Sequence, residues 1–189
     1  MRRAIFGGTF DPIHRAHLVV AREAADAFAL DQVLFIPAAN PPHKEAGTRY
    51  EHRYKMVELA CREDARFSPS RLEEEARKSY SIYTIESVKA MGGDVFFVIG
   101  ADAFAEIQTW FRWQDVVREV EFIVVTRPGH KYESPADARV HRLETVALPV
   151  SSSEIRSALA RGEIPAELPK AVAEYIRANG LYTGGLYAT

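Results

Sequence analysis

Short apolar runs alternate along this chain with segments of helical periodicity, and most of the runs stop at a glycine, a proline or a polar cluster. Ala4-Ile5-Phe6 leads into Gly7-Gly8, Gln32–Ile36 into Pro37, Asp94–Ile99 into Gly100, and Phe122–Val125 into Thr126-Arg127-Pro128-Gly129. Continuous runs of this kind suit strands buried on both faces, as in a parallel sheet. Between and after them, helices are predicted from Ile13 or Arg15 to Phe28 and over Tyr50–Cys61, Ser81–Met91, Trp113–Val120, Ser151 to Gly162 and Lys170–Ala178. Phe67–Glu73 reads as a short strand running into solvated acidic residues, with Glu73-Glu74-Glu75 a surface charge run. His130–Arg142 reads as a polar loop and Leu143–Leu148 as the last strand. This alternation predicts an α/β fold: a doubly wound, mostly parallel sheet with C-terminal helices.

Parallel strands place all their carboxyl ends on one edge of the sheet, and ligands bind there, where the strand order reverses. Five groups follow a predicted strand end: Gly7-Gly8, Asn40 to Lys44, Gly100 to Asp102, Arg127, and Ser151 to Arg156. The fold class therefore gathers five separate polar groups at one place.

The bulk numbers limit what they can bind. The 189 residues suit one domain spanning 1–189. A net charge of −2 offers no general basic field for nucleic acid, so an anionic ligand must be met by a local cluster of donors. The single cysteine, Cys61, excludes an internal disulfide and reads as buried filler on a helix. No run approaches the roughly 20 apolar residues of a membrane span, and the run after Met1-Arg2-Arg3 is too short for a signal-peptide core. A cytoplasmic protein with no membrane partner is the expectation.

The densest chemistry lies in Gly7 to His17, GGTFDPIHRAH, between the first strand and the first helix. Gly7 and Gly8 let a ligand approach the backbone and expose N–H groups to phosphate. Neither a Walker A loop nor a GxGxxG fingerprint is present, so phosphate must be met by backbone, histidines and remote basic residues. His14 and His17 stand three apart and share a helix face, from which both can donate to phosphate. A zinc pair is the alternative, but HxxH lacks a nearby third ligand. Ser151-Ser152-Ser153-Glu154-Ile155-Arg156 forms a second helix N-terminus, where hydroxyls and free N–H groups can hold phosphate. Arg156 there opposes the helix dipole, a placement an anionic ligand would explain. Lys44 can act as a point charge, Asp102 can take a ribose hydroxyl or simply cap a helix, and Trp110 can stack on a planar ring.

At GGTFDPIHRAH and SSSEIR the chain resembles the nucleotidyltransferase superfamily with HxGH and ISSTxIR-type motifs. PPHK (Pro41 to Lys44), SYSIYT (Ser79 to Thr84), GADAF (Gly100 to Phe104), Thr109-Trp110 and TRPG (Thr126 to Gly129) narrow the resemblance to bacterial nicotinate mononucleotide adenylyltransferases, over nearly the whole chain. The resemblance implies a Rossmann-like nucleotidyltransferase fold. It also implies adenylyl transfer from ATP to nicotinate mononucleotide, with Mg2+ carried by the ATP phosphates and no metal site built by the protein. It assigns Gly7, Gly8, Phe10, His14, His17, Asp102, Arg127, Ser151, Ser152 and Arg156 to ATP. Thr9, Lys44, Tyr83, Thr84, Trp110 and Phe111 go to the nicotinate nucleotide, with His14, His17 and Lys44 nearest the chemistry. Two positions depart from the pattern: Ala16 stands for the Gly of HxGH, and Ser153 for the Thr of ISST. Rival readings are a sister transferase acting on phosphopantetheine or an alcohol phosphate, a nucleotide sensor without turnover, and a zinc protein. Oligomeric state is open, with a homodimer as one expectation.

Overall fold

The apolar residues of the central strands point alternately to two sides, and each side is covered by its own helices. The computed structural model describes residues 1–41, 47–146 and 151–184. In chain order the elements are β1 (Arg2–Gly8), α1 (Arg15–Ala27), β2 (Gln32–Pro37), α2 (Tyr50–Cys61), β3 (Phe67–Pro69), α3 (Ser81–Lys89) and β4 (Asp94–Gly100). They continue with α4 (Ala101–Ala105), a 3-10 turn (Ile107–Thr109), α5 (Trp113–Glu119), β5 (Glu121–Thr126), β6 (Arg139–Glu144), α6 (Ser152–Ala160) and α7 (Lys170–Ala178).

All six strands are parallel, in the order β3-β2-β1-β4-β5-β6. The chain winds outward from β1 in one direction, then returns to β4 on its other side and winds the opposite way. The switch point therefore lies between the ends of β1 and β4. Ala4, Val33, Phe35, Phe96, Val98 and Ile123 pack on one side with α1, α2, α6 and α7. Ile5, Leu34, Ile36, Phe97, Ile99, Phe122 and Val124 pack on the other with α3, α4 and α5. This strict alternation is the period-two geometry of a strand, applied to strands apolar on both faces. Cys61 is buried in the first of these cores, as filler, and burial raises its thiol pKa to about 12.

Three expectations need correction. The last strand spans Arg139–Glu144, inside the segment read as loop, and not Leu143–Leu148, of which 147–148 lie outside the described residues. Among the described residues it pairs only with β5, at the sheet edge, so its arginines and glutamate face water and its apolar content is too low to read as a run. Glu73 is buried rather than solvated, for reasons that concern the site. The predicted helix to Met91 stops at Lys89, ahead of two glycines in the left-handed region, φ +79° at Gly92 and +89° at Gly93.

Candidate active site

A cavity of about 230 Å³ opens at the switch point, lined by Gly7 and Gly8 from β1, Phe97 to Gly100 from β4, and Glu73, Thr84 and Trp110. Gly7 and Gly8 do different work. A Cβ on Gly7 would meet no protein atom within 4 Å, so its missing side chain leaves room in the cavity. A Cβ on Gly8 would sit 3.0 Å from the Phe10 ring, so there the glycine makes space for the protein itself. Phe10 is buried and meets the His17 ring edge-on, with centroids 5.1 Å apart. It braces that ring from beneath. The Thr9 carbonyl, one residue earlier, accepts from Arg53.

His14 precedes α1 and His17 lies in its first turn, and their rings lie 3.9 Å apart, centroid to centroid. The backbone N–H of His14 donates to His17 Nδ1 at 3.2 Å. That bond requires Nδ1 of His17 to be unprotonated, so the neutral ring carries its proton on Nε2 and is a fixed donor there. Burial pushes the His14 pKa down to about 4, against a smaller opposing effect of Glu167. Burial, and then the neighbouring His14, hold His17 well below its ordinary value. The free protein therefore presents a neutral pair at pH 7, and Nδ1 of His14 is buried with no hydrogen-bond partner among the described residues. An anion arriving beside them would raise these pKa values again.

The second helix N-terminus meets the first. Ser151 caps α6, its hydroxyl accepting from the Glu154 N–H at 3.2 Å. The Ser152 hydroxyl donates to the Pro12 carbonyl at 3.0 Å, and Arg156 Nη1 donates to the Asp11 carbonyl at 2.7 Å. Two candidate phosphate ligands thus also tie α6 to the loop that carries the histidines. Asp102 is fully exposed at the start of α4, with one carboxylate oxygen 4.0 Å from His130 Nε2, and Arg127 is exposed just beyond β5. Lys44 lies outside the described residues.

At the far end of the cavity, Thr84 is buried on α3 and its hydroxyl donates to the Glu73 carboxylate at 2.5 Å. Trp110 is half-buried, its ring meeting Phe97 edge-on with centroids 6.0 Å apart. A second cavity of about 490 Å³ adjoins across Ser79, Ser81 and Trp110 and is walled by Tyr80 and Phe111. Those two rings stack at 4.6 Å, with Tyr83 6.1 Å from Phe111, and both Tyr83 and Phe111 are exposed. The aromatics named from sequence are thus gathered, and Tyr80 joins them.

Sequence reasoning passed over the residues that hold the site together. The Asp11 carboxylate accepts from the Tyr182 hydroxyl at 2.6 Å and from the N–H groups of Gly47 and Thr48 at 3.1 and 3.3 Å. Arg53, 1% exposed on α2, donates to the carbonyls of Thr9, Ala38 and Thr48. Asp11 stood inside the quoted motif, but nothing in its spacing marked it as a buried acceptor. Arg53 had no sequence signal beyond a helical position. Among the described residues no three His, Cys, Asp or Glu side chains converge as a metal site, and His17 Nδ1 is already committed to a main-chain N–H.

Residues 5–158 match the family model described as cytidylyltransferase-like. The chain is 60% identical over 187 residues to a probable nicotinate-nucleotide adenylyltransferase of Solibacter usitatus, covering 96% of this chain and 100% of the relative. A relative of the same description from Thermus thermophilus is 39% identical over 186 residues, again 96% of this chain and 100% of the relative. The chain belongs to the nicotinate-nucleotide adenylyltransferases of the cytidylyltransferase-like family. Its fold is also that of the Plasmodium falciparum nicotinic acid mononucleotide adenylyltransferase solved with NaAD. The TM-score is 0.80 at 21% identity, covering 96% of this chain and 97% of that one. This adenylyltransferase chain has no helix, among the described residues, long and apolar enough to cross a membrane.

Proposed function

We propose that this adenylyltransferase transfers AMP from ATP to the phosphate of nicotinate mononucleotide, giving deamido-NAD and pyrophosphate. The observation that carries the reading is the cavity itself. It is lined by the paired glycines, the Thr84 hydroxyl and the Trp110 ring, and the chain that leaves Gly8 leads to the neutral histidines at the start of α1. A triphosphate suits the glycines and the histidine-bearing helix start, a pyridine nucleotide the hydroxyl and the ring, and 60% identity over nearly the full length supports that pairing.

In the reaction, an oxygen of the mononucleotide phosphate attacks the α-phosphorus of ATP in line. The bond from that phosphorus to the oxygen bridging the α- and β-phosphates breaks, and pyrophosphate leaves with the electron pair. The attacking phosphate already bears its charge, so no protein nucleophile or base is needed, and catalysis is positioning and electrostatic stabilisation. His17 donates through Nε2 to the phosphate at which charge builds, its ring fixed by the His14 N–H and by Phe10. His14, with Ser151, Ser152 and Arg156 at the α6 N-terminus, holds the departing phosphates, and Lys44 assists from its loop. Gly7, Gly8, Asp102 and Arg127 flank the adenosine side. Thr84 and Trp110 hold the nicotinate ring, with Thr9, Tyr83 and Phe111 around the same nucleotide.

Members of this family use a divalent metal with the nucleotide. With no acidic cage among the described residues, Mg2+ would be held mainly by ATP phosphates and water, and would neutralise phosphate charge. An intracellular setting follows from these substrates. Pyrophosphate release with ATP and a panel of acceptors tests the whole reading. Nicotinate mononucleotide is expected to be turned over in preference to phosphopantetheine and alcohol phosphates. ATP binding with no product from any acceptor would leave a sensor in place of an enzyme.

A further inference from the structure

The loop from Thr9 to Ile13 joins the cavity glycines to the two histidines, and bonds from distant segments hold it. Arg53 on α2 donates to the Thr9 carbonyl, Arg156 and Ser152 on α6 to the carbonyls of Asp11 and Pro12, and the Tyr182 hydroxyl to the Asp11 carboxylate. These holds face different surroundings. Ser152 and Arg156 are half-buried near the start of α6, where the triphosphate is proposed to bind. Asp11 and Tyr182 are 5% and 3% exposed, so their 2.6 Å bond is closed to solvent.

Tyr182 reaches Asp11 from beyond α7, at φ +62°. A bulky side chain keeps that left-handed backbone only where its surroundings hold it. The ring is buried in the core that α1, α2, α6 and α7 share. A phenylalanine ring would fill the same space with no polar group to satisfy, so the bond to Asp11 is what the hydroxyl adds. The match to the family model ends at residue 158, so this contact comes from a segment outside it.

Residues on both sides of Asp11 orient His17. Phe10, just before it, meets the His17 ring edge-on, and His14, further along, donates its N–H to His17 Nδ1. A shift of Asp11 therefore moves both supports of the Nε2 donor. Once Ser152 and Arg156 turn donors to phosphate, their bonds to the loop weaken, and the Asp11 side chain must keep the loop still. We propose that Tyr182 is a positioning residue of adenylyl transfer: through Asp11 it holds the histidine-bearing loop while α6 engages the phosphates. This rests on the roles proposed for His17 and α6. Ground-state binding is spread over many donors, whereas the transition state depends on the placement of one, so the loss falls on kcat rather than on KM.

The experiment measures kcat and both KM values with ATP and nicotinate mononucleotide in the wild type, Tyr182→Phe and Ile176→Val, well below their melting temperatures. Tyr182→Phe keeps the ring, and the Asp11 carboxylate keeps its bonds from the Gly47 and Thr48 N–H groups, so the chain still folds. Ile176→Val trims the buried face of α7 in the same C-terminal segment, with a similar small loss of stability and the hydroxyl intact. In Tyr182→Phe, kcat is expected to fall about tenfold with both KM values within about twofold, the mark of a misplaced donor. Ile176→Val should keep the wild-type kcat. In a His17→Ala background, where the donor is already gone, Tyr182→Phe should cost less than about twofold. A wild-type kcat in Tyr182→Phe overturns the proposal. An equal fall in Ile176→Val also overturns it, by reducing Tyr182 to a structural residue. So does a full tenfold fall on the His17→Ala background, because the hydroxyl would then act through some other group. No pyrophosphate release by the wild type would instead overturn the adenylyl-transfer reading, before any variant is compared.

Discussion

The two halves of the candidate site, the proposed phosphate end and the proposed ring end, are held in place differently. At the phosphate end the side chains are tied to main-chain atoms: His17 to the His14 N–H, Ser152 to the Pro12 carbonyl, Arg156 to the Asp11 carbonyl. At the ring end they are tied to each other: Thr84 to Glu73, Tyr80 to Phe111, Trp110 to Phe97. Main-chain anchors are indifferent to neighbouring side chains and fix geometry tightly. Side-chain anchors can be exchanged in pairs, so substrate preference can be altered without disturbing the fold. The phosphate end should accordingly govern kcat, and the ring end the acceptor KM.

The largest expected effect tests the first half of that contrast. His17→Ala removes the fixed Nε2 donor and should lower kcat by on the order of a hundred- to a thousand-fold, the loss typical of one oxyanion donor. The melting temperature should change little, because among the described residues the His17 ring makes no hydrogen bond beyond the one to His14. Near-normal turnover would remove His17 from the mechanism.

Next is the brace behind that end. Asp11→Ala would leave the Tyr182 hydroxyl and the Gly47 and Thr48 N–H groups without their buried acceptor. A loss of about 3 kcal/mol is expected in denaturant unfolding. Here the sequence was least informative. Tyr182 lies 171 positions from Asp11, and no local pattern marks a carboxylate whose partners are two amide groups and a distant hydroxyl. The fold was far more legible, because β1, β2, β4 and β5 are apolar on both faces and announce themselves as runs. The polar edge strand β6 and the buried Glu73 were misread for one reason: composition reports average exposure, and each departs from its neighbours. The placement of the histidines and of Ser151-Ser152 at helix starts was legible because the apolar periodicity that follows each of them marks where a helix begins.

The same histidines give the phosphate end an acid limit. His14 titrates at about 4 in the folded protein and near 6.5 when unfolded. Between those values the unfolded chain binds the extra proton, so stability rises with pH. The contribution is complete above about 6.5, and up to about 3 kcal/mol is lost as pH falls toward 4. His17, shifted in the same direction, steepens the limb. Chemical denaturation across this window should show it, and His14→Asn should make it shallower, leaving the part due to His17. A stability independent of pH there would show the pair to be solvated.

At the ring end, Trp110→Ala should raise KM for the acceptor by about tenfold, the loss of one stacked ring with its buried area. KM for ATP and the melting temperature should move little, since Trp110 is only half-buried. Equal effects on both KM values would erase the distinction between the two ends.

The smallest effect concerns Ala16, where the family pattern has glycine. Ala16 lies in the first turn of α1, between the two histidines, and is 9% exposed. Alanine favours helix by up to about 1 kcal/mol over glycine, and less in a first turn, where fewer backbone bonds depend on it. Its methyl group already packs without displacing either ring, as the 3.9 Å pairing of His14 and His17 shows. Ala16→Gly should therefore lower stability by under about 1 kcal/mol and leave kcat within roughly twofold, since no bond to either histidine passes through the side chain. A large gain in kcat on introducing glycine would mean that the methyl group stands where the triphosphate needs to lie. The phosphate end would then be less finished than its main-chain anchors suggest.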